Sequence, residues 1–166
     1  MTKDEFWELI KSPVGEKNPS GQLEEKLKDY GQAEIKYFYR HFDKARADLD
    51  ITLMRAAFYH LFSGCGDDLF NNGCHWIIAS GKGLYEQIKG DPDKLADIDI
   101  PSEDTLWDYE GYGYASHLEL IDEVGDLIQV DFNGTQENTS GEKWDIEDEA
   151  ECRVRLPEIH KKIYGR

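Results

Sequence analysis

Nowhere in the sequence do apolar residues run on for the ~18 positions that a bilayer-crossing helix needs, so no spanning segment is expected. Cysteine is scarce and odd in number, at Cys65, Cys74 and Cys152. The opening Met1-Thr2-Lys3-Asp4-Glu5 is mixed in sign and does not read as a charged-then-apolar leader. These absences argue against a disulfide framework and predict reduced thiols in a cytoplasmic protein. No internal repeat and no linker divides the chain.

Basic residues are missing from one long stretch. Between positions 101 and 151 there is a single one, Lys143, against 16 acidic residues, a local net charge of −15. Phosphate backbones are bound by neutralising cations, so nucleic acid is not expected as a direct ligand. Residues 1–60 are almost neutral, with 10 basic and 11 acidic side chains, and residues 152–166 reverse to +4. An acidic face of this kind suits solubility, a basic partner or divalent cations.

What is present is enough apolar material for a core. Hydrophobic residues make up 39% and aromatics 12% of the 166 residues, which separates the chain from the disordered class despite its charge. At this length a compact chain buries roughly 70% of its extended surface and needs no disulfide or metal staple.

Helical periodicity runs through most of the sequence. Thr2 and Glu5 form a capping box ahead of Phe6, Trp7 and Ile10, and residues 12–21 read as a loop. A short helix over about 22–30 carries Leu23, Leu27 and Tyr30 and is punctuated by Gly31. From Gln32 to Asp48 the stripe Ile35, Phe38, Tyr39, Phe42, Ala45 predicts an amphipathic helix. Asp50 is expected to cap a central apolar helix from Ile51 to Phe62, which stops at Ser63-Gly64. Asp67 is expected to cap the next, with Gly73 inside it for close packing. A helix over 83–89 and a turn at Asp91-Pro92-Asp93 follow.

After Pro101 the pattern changes. Trp107, Tyr109, Tyr112 and Tyr114 alternate with Gly111 and Gly113, and His117 to Val124 reads as a helix. Leu127-Ile128-Gln129-Val130 suits a short strand or a helix turn equally, 133–143 is a surface loop, and Pro157 opens the last helix. The expected fold is mainly α, a compact multi-helix single domain over 1–166, with room for one short strand pair near 127–132.

Several motifs stand in order: Asp4-Glu5-Phe6-Trp7, Gly64-Cys65-Gly66-Asp67-Asp68-x-Phe70, Trp76-Ile77-Ile78-x-x-Gly81, Asp91-Pro92-Asp93-x-Leu95-Ala96 and Gly141-Glu142-x-Trp144-Asp145-x-Glu147-Asp148. A basic stretch and Leu156-Pro157 follow them. As a set they resemble the bacterial family catalogued as domain of unknown function 4240, from residue 4 to about 160. The sequence departs from the family pattern at Cys74, where an aromatic-basic pair near the tryptophan is more usual, and over 109–114. The resemblance implies a shared fold and carries no activity with it.

Candidate chemistry is thin. Asp67 and Asp68 are adjacent carboxylates at a helix start, able to act as an acid pair or simply to satisfy the helix end. With His75 beside Trp76 they define one functional reading, an enzyme or small-molecule sensor. Cys65, Cys74 and His75 lack the paired spacing of a zinc site, and no metal or other cofactor is expected. Ser80-Gly81-Lys82-Gly83 lacks the upstream glycine and following hydroxyl of a phosphate loop. The leading reading is a non-enzymatic domain that engages a basic protein, of the immunity or accessory type. Its surface is made of Asp104, Trp107, Asp108, Tyr109, Glu110, Tyr112 and Tyr114, the aromatics supplying rigid contact area and the acids steering the partner. A structural subunit of a larger assembly is a third reading, and the oligomeric state is left open.

Overall fold

The computed structural model describes residues 1–11, 17–112 and 139–165. Helix α1 (Lys3–Ile10) starts from the predicted capping box: Glu5 N–H donates to Thr2 Oγ1 at 3.2 Å, and Thr2 N–H donates to Glu5 Oε2 at 2.6 Å. Helix α2 (Pro19–Leu27) begins earlier than its apolar spacing suggests. Asn18, in the left-handed region at φ 55°, accepts from Gly21 N–H, and Pro19 occupies the first turn, where its missing N–H costs nothing. Helix α3 (Gln32–Leu49) buries Ile35, Phe38, Phe42, Ala45 and Leu49 on one side; Tyr39, expected in that stripe, is half-buried at its margin.

Helices α4 (Thr52–Phe62) and α5 (Asp67–Ala79) form the centre. Met54, Phe58, Phe70, Ile77 and Ile78 are all essentially inaccessible. Full burial of side chains this size stabilises by roughly 2–3 kcal/mol each before entropy is counted. Gly73 earns its place on α5 by contact, because a Cβ there would overlap the Phe58 ring. That close approach offsets the roughly 1 kcal/mol by which glycine disfavours a helix interior. Helix α4 ends as expected, with Ser63 at φ 56° and Gly64 at φ 125°.

Two expected caps are corrected by the structure. Asp50 does not cap α4: Ile51 stands at that position with no side-chain cap bond, and the Asp50 carboxylate turns to Arg55 instead. Asp67 is the first residue of α5 and Gly66 is its cap, so Asp67 too is released for an ion pair. A guanidinium beats a backbone N–H here because it adds a full opposite charge, and to Asp50 a two-pronged geometry, to the hydrogen bond.

Helix α6 (Lys82–Gly90) leads through Asp91 into a 3₁₀ segment (Pro92–Asp97). Short helical turns follow at α7 (Glu103–Leu106) and a second 3₁₀ segment (Trp107–Tyr109). Two helices close the chain, α8 (Glu149–Arg155) and α9 (Pro157–Tyr164). Among the described residues every regular element is helical. The one extended feature is a parallel bridge of Ile51 with Ser140, where Thr52 N–H donates to Ser140 O and Ser140 N–H to Asp50 O, both at 3.0 Å. The helix expected at 117–124, the strand pair near 127–132 and most of the 133–143 loop lie outside the described residues.

The last helix is capped from a distance. Pro157 supplies no N–H, and Leu156 has no side chain able to accept one. The buried Asp93 carboxylate takes over, accepting from Glu158 N–H and Ile159 N–H, each at 2.9 Å. His60 Nδ1 shares a 2.9 Å hydrogen bond with Tyr164 Oη at the other end. Asp93→Ala should therefore lower stability by about 2 kcal/mol, while Asp93→Asn, which keeps one acceptor, should lose less than half of that. Urea denaturation of both variants checks the order.

Candidate functional site

The apolar helix α4 carries one arginine, and the carboxylates of two elements converge on it. Arg55 Nε and Nη2 donate to Asp50 at 2.8 and 3.3 Å, and Nη1 donates to Asp67 Oδ1 at 2.9 Å. The guanidinium lies 4.2 Å from the centre of the Phe70 ring, a cation–π contact. Thr139 Oγ1 adds a 3.1 Å bond to Asp50. Burial works against the charged guanidinium, but the hydrogen bonds and charges of the two aspartates outweigh it and hold Arg55 protonated. The cluster fixes the α3–α4 junction to the start of α5 and to the 139–140 segment.

The proposed acid–base trio does not converge. Asp67 is occupied by Arg55, and Asp68 is exposed at the positive end of α5. His75 lies about 12 Å further along the helix axis than Asp67. It is buried against Phe42, and its Nδ1 lies 3.1 Å from the Tyr109 carbonyl oxygen. A carbonyl only accepts, so Nδ1 carries a proton and donates it to Tyr109. Burial lowers its pKa to about 4, although the Tyr109 bond pulls the other way.

The thiols are equally quiet. Burial pushes Cys65 up to about 12 and Cys152 up to about 11, and raises the fully buried Cys74 as well. None of them is a thiolate at neutral pH, which is the form a nucleophile needs. Among the described residues no three His, Cys, Asp or Glu side chains are grouped to hold a metal ion.

The acidic segment after Pro101 divides into an anchor and a face. Ser102 caps α7 through Thr105 N–H, and Leu106 is fully buried beneath it. Tyr109 and Tyr112 pack on each other at 5.6 Å and are 4% and 1% exposed. The Tyr109 carbonyl takes His75, and the Asp108 carbonyl takes Ser20 Oγ at 2.8 Å. These two tyrosines are therefore core, a correction to the aromatic surface expected from the sequence; the 3₁₀ turn that carries Tyr109 packs against α2 and α5, where apolar burial gains more than exposure would. Tyr114 lies outside the described residues.

The outward side keeps Trp107, 45% exposed, with Glu103, Asp104, Asp108 and Glu110 around it, all exposed. Among the described residues no lysine, arginine or histidine pairs with any of these four carboxylates. The acids after 140 are mixed: Arg155 takes both Glu142 and Glu151 and lies over Trp144 at 5.0 Å, whereas Asp145, Glu147 and Asp148 are exposed and meet no cation among the described residues.

Among the described residues these features define an all-helical fold that carries a group of exposed carboxylates, none paired with a cation, around a tryptophan. The family described as "Protein of unknown function (DUF4240)" matches residues 1–120, and the chain belongs to that family. The match takes in every motif up to Asp91-Pro92-Asp93 and stops before the one at Gly141. No curated protein and no solved structure matches the chain. No helix among the described residues is long and apolar enough to cross a membrane.

Arg55 is the residue that sequence reasoning missed. A lone arginine inside the apolar run from Ile51 to Phe62, with Asp50 and Asp67 bracketing the helix, was the available signal.

Proposed function

We propose that the chain is a single cytoplasmic binding domain without catalytic activity, and that it engages a basic protein through the surface centred on Trp107. An immunity or accessory role, covering the cationic face of a partner, is the concrete form of this reading. The observation that carries it is the exposed Trp107 indole standing among Glu103, Asp104, Asp108 and Glu110, four carboxylates that meet no cation among the described residues. A large aromatic in water gains by being covered, and unpaired acids beside it raise the encounter rate with a cationic surface. Rigid attachment supports the same reading: Leu106, Tyr109 and Tyr112 fix the turn from below, so little ordering entropy remains to be lost on binding.

The test is affinity capture with the intact chain, at low and moderate salt, beside the variant Trp107→Ala/Asp104→Lys/Asp108→Lys. The wild type should retain a basic protein, and the variant should lose at least 90% of it, about 1.4 kcal/mol or more. Equal retention by the two proteins, or no basic protein at either salt concentration, counts against the proposal.

A further inference from the structure

We propose that the outward face of α3 is a second docking surface, one that takes a short acidic peptide segment of another protein. This goes beyond the Trp107 surface, because it lies on a different element and has the opposite charge. Lys36, Arg40 and Lys44 recur every four residues, so they form one row along the helix, about 12 Å from first to last. All three are exposed, and Tyr37 stands between them 49% exposed, with the Arg40 guanidinium 6.0 Å from its ring centre. Ala33 and Ala47, also exposed, keep the face low at both ends.

The acids of α3 have been assigned elsewhere. Glu34 accepts from Gly31 N–H at 3.1 Å, and Asp43 faces Arg46 at 3.7 Å. Asp48 accepts from Lys89 at 2.7 Å and from Tyr85 at 3.1 Å, leaving Lys44 a looser 3.5 Å ion pair. Among the described residues neither Lys36 nor Arg40 meets a carboxylate. Lys3 of α1 adds its charge beside His41, at the edge of the same face, while its neighbour Asp4 is drawn away to Lys82.

The size of the row selects the occupant. A net charge of −16 repels a long polyanion over most of the molecule, so a nucleic acid extending past this row meets like charge. A short acidic segment escapes that repulsion. Carboxylates one helical turn apart, or at alternate positions of a strand, recur about every 6–7 Å, which fits the roughly 6 Å between successive cations. Tyr37 offers the peptide backbone a rigid aromatic surface.

The test uses fluorescence anisotropy of a labelled oligo-glutamate peptide with the full-length chain, with labelled single-stranded oligothymidylate as comparison. Lys36→Glu/Arg40→Glu should weaken peptide binding about tenfold or more. Arg153→Glu/Lys161→Glu, which changes net charge equally, should leave it within about twofold, and circular dichroism checks that both variants fold. No peptide binding by the wild type, equal loss in both variants, or equal or tighter binding of the oligonucleotide overturns the proposal. So does self-association in light scattering that Lys36→Glu/Arg40→Glu abolishes, since the occupant is then a second copy.

Discussion

Arg55→Ala should destabilise the protein by about 3 kcal/mol, a loss as large as that expected from truncating a core side chain. Two carboxylates depend on that one guanidinium. Asp50 is the more enclosed, with its side chain 15% exposed, and Asp67 is 38% exposed, so water relieves the second more than the first. Breaking a fully buried pair costs about 3–5 kcal/mol, whereas exposed pairs contribute about 1 kcal/mol or less. This cluster lies between those limits, and the Phe70 contact adds to it. The loss comes from stranded charge more than from lost attraction. Arg55→Met combined with Asp50→Asn and Asp67→Asn should therefore recover more than half of the deficit. Urea unfolding at pH 7 measures both; a loss under about 1 kcal/mol for Arg55→Ala would show that the cluster is ornamental.

Acid should destabilise the protein from about pH 6.5 downward. His75 has a folded pKa of about 4 against an ordinary value of 6.5, because burial disfavours its charged form. The unfolded chain takes up this proton first as pH falls. The stability that depends on a neutral His75 is therefore complete above about pH 6.5, shrinks as pH drops toward 4, and is gone below it. The shift corresponds to roughly 3 kcal/mol in all, of which about 2 kcal/mol is lost by pH 5. His41 and His60 are lowered in the same direction, also chiefly by burial, and steepen the same slope. His75→Gln should flatten the dependence between pH 7 and 5 by about 2 kcal/mol. A parallel slope in wild type and variant would mean that the imidazole is solvated.

The helices were legible because their apolar spacing repeats over several turns. Ile35, Phe38, Phe42 and Ala45 on α3 and the glycine against Phe58 on α5 follow from periodicity and propensity alone. Helix α8 was not legible, since its only buried side chain is Cys152, too little for a periodic signal. What marks it is electrostatic: the Asp148 cap, Glu149 and Glu151 at the start, Arg153 and Arg155 at the end. Misplaced caps had a different cause. Asp50 and Asp67 stand where a cap belongs by local chemistry, and a long-range partner twelve residues or fewer away in sequence overrode it.

The proposed docking surface was legible in its charges and only partly in its aromatics. Asp104, Asp108 and Glu110 face outward because nothing in the core can neutralise them. Tyr109 and Tyr112 alternate with glycine in the sequence, a pattern that does not distinguish an exposed platform from a buried plug. The deciding contact is Gly111, where a Cβ would come within 2.7 Å of Ser20, so the turn is pressed against α2. Family membership, shown over residues 1–120, could not have supplied that detail.

Hydrogen exchange of the amides in Glu103–Glu110, with and without a basic protein retained in the affinity capture, tests the proposed binding surface most directly. Slowed exchange concentrated there, and absent from the Trp107→Ala/Asp104→Lys/Asp108→Lys variant, is the expected result. Protection confined to other segments, or no change beside Trp107 in a saturated complex, would contradict the assignment of that surface.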